Sequence, residues 1–415
     1  MTSPESLFAQ PVRSTANWPD RSDAAETLCI VASIANLRGI DRAWGSQPAL
    51  AVRHVVLERA RELCRSVPGI AVLSGDLILF VFDLPLSGLP SATPDSAQVG
   101  VLLDRMLCDL ADQPIDIAGD AVFVALSVSV VEQMESAFDI ADIAAASAAT
   151  GADQPGQEEQ RWRARFFADM KAAEHLFSAN DRDRLVFDAQ AVRNLHHAEA
   201  VRYYEVLPFM TWQGASRPVA EMVMPLDRLG LIRRLDRWSV ETAICALQSN
   251  PGVSLGCNVT SQSASLDAWW TLVIAMLSEQ RAVAKRLVIE LSEVAPTIDL
   301  ARVGAFVHEF RALGCQVALD NVGGGGSSIA ALASLGVDIV KIDAGRLHEA
   351  RARGRANDFL RDLVTLARGT GADVVITGVE DEADVDVAAR AGATHIQGPY
   401  VLGEVPADLN INSPN

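Results

Sequence analysis

Basic residues are scarce in this chain: 35 lysines and arginines face 53 aspartates and glutamates, for a formal charge of −18. A nucleic-acid polymer or an anionic bilayer is met by basic stripes, so the charge balance argues against both as partners. An anionic small molecule needs a metal ion or a local cluster of donors to offset that field. Long apolar runs are also missing. The richest, Ile70 to Leu84, is broken by Asp76 and Asp83 and falls short of the ~20 residues that span a bilayer. The opening MTSPESLFAQPVRST has no basic stretch followed by an apolar core, so no signal peptide is expected and the cytoplasm is the expected location. Cys29, Cys64, Cys108, Cys245, Cys257 and Cys315 lie far apart, with no Cys-x-x-Cys or Cys/His spacing. Reduced, buried thiols are therefore expected rather than disulfides or zinc.

What is present is an ordinary globular balance, 49% hydrophobic and 21% charged over 415 residues, enough for two or three domains. Residues 1–25, with Pro4, Pro11 and Pro19, read as a loose tail. Residues 26–150 carry a compact pattern. TLCIVASI is strand-like, Pro48 to Val67 is an amphipathic helix, IAVL and LILFVF flank a Ser74–Asp76 turn, Ala97 to Ala111 is helical, and AVFVALSVSVV reads as one long strand. That is the β-α-β-β-α-β order of a ferredoxin-like α+β domain, closed by a helix over Asp139 to Ala148. The polar stretch Ala149 to Gln160 breaks the composition, and residues 151–180 read as a linker and a bridging helix from about Arg161 to Ala179.

From 181 to 408 the period changes, leaving 409–415 as a short tail. Eight strand-like runs follow: LVFDAQAV, RYYEVLPF, SLGCNVT, RLVIELSE, QVALDNV, DIVKID, DVVITGV and THIQG. Helix-length segments separate most of them, notably Asp236–Gln248, Leu266–Glu279, Leu300–Leu313, Ala356–Arg368 and Glu382–Ala391. The pattern predicts a TIM-type (β/α)8 barrel, with an open doubly wound sheet as the alternative. Its centre is the stretch Cys315 to Asp343, two apolar runs around a glycine-rich turn, delivering Asp320 and Lys341 from successive strand ends.

Each run carries a polar residue in it or just past it: Gln190, Glu205, Asn258, Glu290, Asp320 with Asn321, Lys341, Thr377 and Gln397. A barrel makes such residues converge, and a core excludes carboxylates unless they are paired or bind a metal. Three acids and an amide form an all-oxygen donor set suited to Mg²⁺ or Mn²⁺, with Lys341 placed to hold a phosphate oxygen or a water. The other reading is a buried ion-pair network with no ligand.

These blocks resemble the EAL domain, the cyclic-di-GMP phosphodiesterase family built on a TIM-type barrel, over about Leu185 to Asp408. EVLPF stands where that family has EALLR, NVTSQS resembles NLSARQ, and IELSE resembles its ExTE element. ALDNVGGGGSS is similar to ALDDFGTGYSS, VDIVKID to VDxLKID, ITGVEDE to AEGVETE, and IQGPYVLGEV to VQGYLFGRPL. The resemblance implies a first metal held by Glu205, Asn258, Glu290 and Asp320, with Lys341 orienting the attacking water. It also implies that Glu293 steadies the following loop and that Gln190 and Gln397 lie near the ligand. The second-metal positions depart from the family, since its acids are replaced by Asn321 and Thr377 and its phosphate-contacting arginine by Phe209. Two-metal hydrolysis needs both ions, so one metal at most is expected, Mg²⁺ or Mn²⁺.

The N-terminal half is similar to a degenerate GGDEF domain, the diguanylate-cyclase partner often fused to EAL. SGDLILFVFDLP stands for GGDEFAVLLP with Leu77 in place of the acid, Ser33 aligns with a metal-binding aspartate, and the RxxD motif survives only as Arg65 to Pro68. No cyclase activity is expected. The expectation for the whole chain is a non-catalytic or nearly inactive cyclic-di-GMP receptor or regulatory scaffold. It would act on a protein partner and could form a homodimer, which the family does through its barrel. The alternatives are a weak phosphodiesterase producing pGpG, and an interaction module with neither ligand nor metal.

Overall fold

The computed structural model describes residues 27–67, 69–74, 76–83, 96–131, 157–177, 185–197, 200–212, 215–292, 299–324, 328–353, 358–401 and 411. The N-terminal part contains β1 (Thr27–Ile34), α1 (Leu37–Trp44), α2 (Ser46–Ser66), β2 (Gly69–Ser74), β3 (Leu77–Asp83), α3 (Ser96–Ala111), β4 (Ile115–Ile117), β5 (Asp120–Val122) and β6 (Leu126–Val131). Its main sheet runs β2-β3-β1-β6, antiparallel throughout. This is the strand order that a β-α-β-β-α-β chain makes when the third strand slots between the first two. Period-2 alternation turns Leu28, Ile30 and Ala32 of β1 and Phe80 and Phe82 of β3 to the buried side. There they share a core with Val52, Val56 and Ala60 of α2 and Leu103 and Met106 of α3.

The single long strand expected over 121–131 is two pieces. Asn36 breaks it: its Nδ2 donates to the Phe123 carbonyl at 3.0 Å and its Oδ1 accepts from Ala125 N–H at 2.9 Å. Those backbone groups are thereby taken from the ladder, and β5 pairs instead with β4 in a small hairpin. Apolar alternation runs straight through such a kink, so pattern alone does not show it. Of the six cysteines, all free, Cys29, Cys257 and Cys315 are buried, but Cys108 of α3 is exposed, against expectation. The expected closing helix over Asp139–Ala148 and the tail 1–25 lie outside the described residues.

A helix, α4 (Gln157–Phe177), begins four residues earlier than expected, so the last residues assigned to the linker are helical. The C-terminal part contains β7 (Leu185–Asn194), β8 (Val201–Trp212), β9 (Ala215–Pro218), α5 (Ala220–Leu229), α6 (Ile232–Ser249), β10 (Leu255–Val259), α7 (Ala268–Glu279) and α8 (Arg281–Ala284). It continues with β11 (Leu287–Leu291), α9 (Leu300–Leu313), β12 (Gln316–Val322), α10 (Ser328–Ser334), β13 (Ile339–Ile342), α11 (Ala344–Arg353), α12 (Asp358–Gly369), β14 (Asp373–Ile376), α13 (Glu382–Ala391) and β15 (His395–Ile396). The sheet order is β10-β11-β12-β13-β14-β15-β7-β8-β9, and pairing of β10 with β8 closes eight strands into a barrel. The open-sheet alternative is set aside.

One strand departs from an all-parallel barrel. β7 is antiparallel to both β15 and β8. The connection from β7 to β8 spans only residues 195–200, too short for the crossover a parallel pair requires. In β7 the site therefore lies toward the start of the strand from the barrel floor at Val192. Among the described residues no helix is long and apolar enough to cross a membrane.

Candidate functional site

Inside the barrel, Val192, Tyr203, Val288, Ala318, Ile339 and Val375 form a dry layer separate from the main core. Side chains on a strand return to the same face every second residue. The next inward position along each parallel strand is then Glu205, Glu290, Asp320, Lys341 and Thr377. In the antiparallel β7 the count runs backwards, from Val192 to Gln190. The polar ring is thus a second storey built on an apolar floor, and the floor is what keeps it out of water.

The ring is centred on Lys341, which is 2% exposed. Its Nζ donates to Glu205 Oε2 at 2.6 Å and to Glu290 Oε2, and lies 3.8 Å from Asp320 Oδ1. Glu205 also accepts from Asn258 Nδ2 and from Gln397 Nε2, each at 2.6 Å, and Gln397 Nε2 reaches Gln190 Oε1 at 3.0 Å. The structure therefore brings together Gln190, Glu205, Asn258, Glu290, Asp320, Lys341 and Gln397, from seven different strands or strand ends. Glu293 lies outside the described residues.

Three acids around one ammonium do not share charge equally. Burial raises the Glu290 carboxyl, and the neighbouring Glu205 charge adds to it against the pull of Lys341, bringing it to about 8. Asp320 is also raised, chiefly by burial and with Lys341 opposing. Burial works in the same direction on Glu205, but the Lys341 ammonium and the amides of Gln397 and Asn258 outweigh it and hold Glu205 below its ordinary value. For Lys341 burial pulls downward, and the surrounding acids overcome it and place the ammonium well above its usual range. The site is thus an anionic cluster with one fixed cation and one carboxyl ready to hold a proton.

The four expected metal ligands do not form a ready cage. Among the described residues no group of three or more His, Cys, Asp or Glu side chains is arranged to hold an ion, because the Lys341 ammonium binds Glu205 and Glu290 while Asn258 turns its NH₂ to Glu205. The donor chemistry nevertheless fits a hard divalent cation. Glu290 Oε1 and Gln397 Oε1 are buried oxygens with no hydrogen-bond partner among the described residues, and the Asn258 amide can present its oxygen after a flip.

At the positions aligned with the family's second-metal acids, the side chains are neutral and hydrogen-bonded to their own neighbours. Asn321 has φ 58° and is exposed, its Nδ2 donating to Asp320 Oδ2 at 3.0 Å. Thr377 spends its hydroxyl on the Ile342 carbonyl at 2.9 Å. Phe209 sits half-buried in the barrel wall between Val186 and Pro218. In the N-terminal sheet, Ser33 and Leu77 face each other as cross-strand partners, so neither supplies a carboxylate there.

Two residues of the ring's floor escaped sequence reasoning. Tyr203, 1% exposed, lies under Glu290, and burial, with the Glu290 charge next, raises its phenol well above the ordinary value. Its signal was available, since it stands two residues before Glu205 on the same face. Gly256 makes room for it: a Cβ there would lie 2.5 Å from Glu290 Oε1 and 2.6 Å from the Tyr203 ring. Gly256→Ala is expected to lower stability by about 1–3 kcal/mol through overpacking, read as a shift of the urea midpoint. An unshifted midpoint would show slack in this layer.

A family model for the EAL domain matches residues 173–403. That is more than half of the chain, and the protein belongs to the EAL-domain family of cyclic-di-GMP signalling proteins. The chain is 24% identical over 392 residues to the uncharacterised protein y4lL of Sinorhizobium fredii, which covers 92% of this chain and 46% of y4lL. It is 24% identical over 243 residues to the cyclic di-GMP phosphodiesterase PdeR of Escherichia coli, covering 54% of this chain and 36% of PdeR. The chain thus spans less than half the length of either relative. Among solved structures, an EAL domain protein of Listeria monocytogenes matches 53% of this chain and 87% of its own, at 24% identity and TM-score 0.48.

Proposed function

We propose that this protein is a cyclic-di-GMP receptor or regulatory scaffold, non-catalytic or nearly so, whose barrel keeps one cation site and has lost the other. The observation that carries this reading is the contrast between the two halves of the site. Glu205, Glu290 and Asp320 surround Lys341, with Asn258 bonded to Glu205, and we read these four as the acids and amide of a single ion site, whereas Asn321 and Thr377 offer no acid and are engaged with their own neighbours. Glu205, Asn258, Glu290 and Asp320 would hold one Mg²⁺ or Mn²⁺, which supplies charge neutralisation for a phosphate. Lys341 adds a buried positive donor, Gln190 and Gln397 orient the acids near the ligand, and Glu293 supports the loop beyond.

In-line hydrolysis with two ions needs ligands for both, and the second set is missing. The N-terminal domain is read as a degenerate GGDEF module, with Ser33 and Leu77 in place of its acids, serving as a docking platform for a protein partner or a second copy. The phosphodiesterase reading keeps support from the name of PdeR and from the intact Lys341 cluster. Calorimetric titration with cyclic-di-GMP in Ca²⁺, in Mg²⁺ and in EDTA, followed by chromatography for pGpG, separates the two. Binding without product is expected, and robust turnover with Mg²⁺ or Mn²⁺ overturns the proposal.

A further inference from the structure

Helix α6 faces in two directions at once. On one side Arg237, 7% exposed, pairs with Asp104 of α3 and with Glu241 at 2.7 Å. Arg234 pairs with Asp112, just past the end of α3, at 3.2 Å, and lies over the ring of Phe177 at 4.3 Å. On the other side Asp236, 4% exposed, accepts from Thr260 N–H at 2.9 Å and from Thr260 Oγ1 at 2.6 Å. Thr260 directly follows β10 and stands two residues beyond Asn258.

The segment that begins at Thr260 is clamped again from α7, and α7 is itself docked on the N-terminal domain. Trp270 Nε1 donates to the Ser263 carbonyl at 2.7 Å, and Asp267 caps α7 while holding Arg233 of α6 at 2.6 Å. The neighbouring Trp269 Nε1 donates to the Leu126 carbonyl of β6 at 3.3 Å. At Gly100, α3 packs against α7, where a Cβ would meet the Leu272 backbone nitrogen and Thr271 Cγ2 at 3.4 Å, ordinary van der Waals contact. Both walls of the Thr260–Asp267 segment are therefore tied to the N-terminal domain, one by ion pairs and one by close packing.

We infer that the N-terminal domain is a working part of the barrel site, holding α6 and α7 so that Asp236, acting as a positioning residue, fixes Thr260 and with it Asn258. This deepens the proposed function, because it assigns the regulation of that same site to the Asp104–Arg237 and Asp112–Arg234 contacts. A partner that pulls on α3 would loosen the Asn258 edge of the ring without touching it.

Hydrogen exchange of the full chain, with no ligand added, tests the inference independently of cyclic-di-GMP binding. Asp104→Ala and Asp112→Ala are each expected to speed exchange in the peptide covering Asn258 to Asp267 by about five- to tenfold, which lies toward the lower end of the coupling found between residues in one network. Peptides from β12 to β14 should keep their wild-type rates. Asp104→Glu, which retains the ion pair, should also stay at the wild-type rate in the Asn258–Asp267 peptide. The inference is overturned if that peptide exchanges as in wild type while α3 loosens, or if exchange rises equally across the barrel. A failure to bind cyclic-di-GMP with this exchange pattern intact would count against the proposed function alone.

Discussion

Lys341→Met is expected to lower the stability of the whole protein by about 3–5 kcal/mol at pH 8, the usual cost of removing one partner from a buried charge cluster. Lys341 is the only cation within the ring among the described residues, and without it Glu205, Glu290 and Asp320 face one another in a dry interior. The acids can escape only by taking up protons, so the loss should shrink toward pH 5.

The wild-type protein has its own pH signature, and the sign follows from each group. Glu290 is raised from 4.5 to about 8 on folding. The unfolded chain therefore releases that proton first, and this group makes stability fall as pH rises from about 4.5 to 8. Glu205 is held below its ordinary value, so its contribution is present above the unfolded value and is lost only as pH falls through the folded one. Lys341 is raised, so its contribution is full below its unfolded value and lost only at more alkaline pH than these experiments reach. Urea midpoints at pH 5 and pH 8, for wild type and Lys341→Met, give the comparison. A midpoint change under ~1 kcal/mol at pH 8 would mean that the acids are not held by this ammonium.

The second large effect is a gain. Asn321→Asp combined with Thr377→Glu should convert binding of one Mn²⁺ into binding of two, with the second ion held at least roughly tenfold more tightly than in wild type, because affinity for hard cations follows the count of charged ligands. The backbone permits the first change. Asn321 lies in the left-handed region at φ 58°, where aspartate is also among the tolerated residues. At position 377 a longer side chain reaches past the Ile342 carbonyl that the threonine hydroxyl now engages. Metal counting by calorimetry and by bound-manganese spectroscopy reads the outcome, and pGpG formation gives a second measure. Phe209 limits the phosphodiesterase gain, since a charge-assisted phosphate contact is worth about 1.5–3 kcal/mol and phenylalanine offers none. If the double variant binds no second ion, the positions aligned with the family's acids do not converge on a common point.

Much of the ring was legible because strands impose a period of two and a barrel turns one face of every strand inward. Glu205, Glu290, Asp320 and Lys341 each stood in or just past an apolar run, and an acid or a lysine at such a place needs a partner. Helices Leu300–Leu313 and Glu382–Ala391 have the bounds read from the sequence, and the structure adds their caps, with Asp299 and Asp381 accepting from the first-turn amides. The break at Phe123–Ala125 was not legible, because it depends on the distant Asn36. The reversed β7 was obscured for a related reason: a strand reads alike in either direction, and only the shortness of the 195–200 connection separates the two.

By itself the sequence determined which side chains could carry chemistry, because composition and period are properties of the chain alone. Tertiary structure decided how those groups share their charge. The position of the Lys341 ammonium among Glu205, Glu290 and Asp320, the crowding of Tyr203 under Glu290, and the reach of α6 from Asp104 to Thr260 all arise between residues far apart in the chain. Distance and burial set their energies, and both exist only once the barrel has closed.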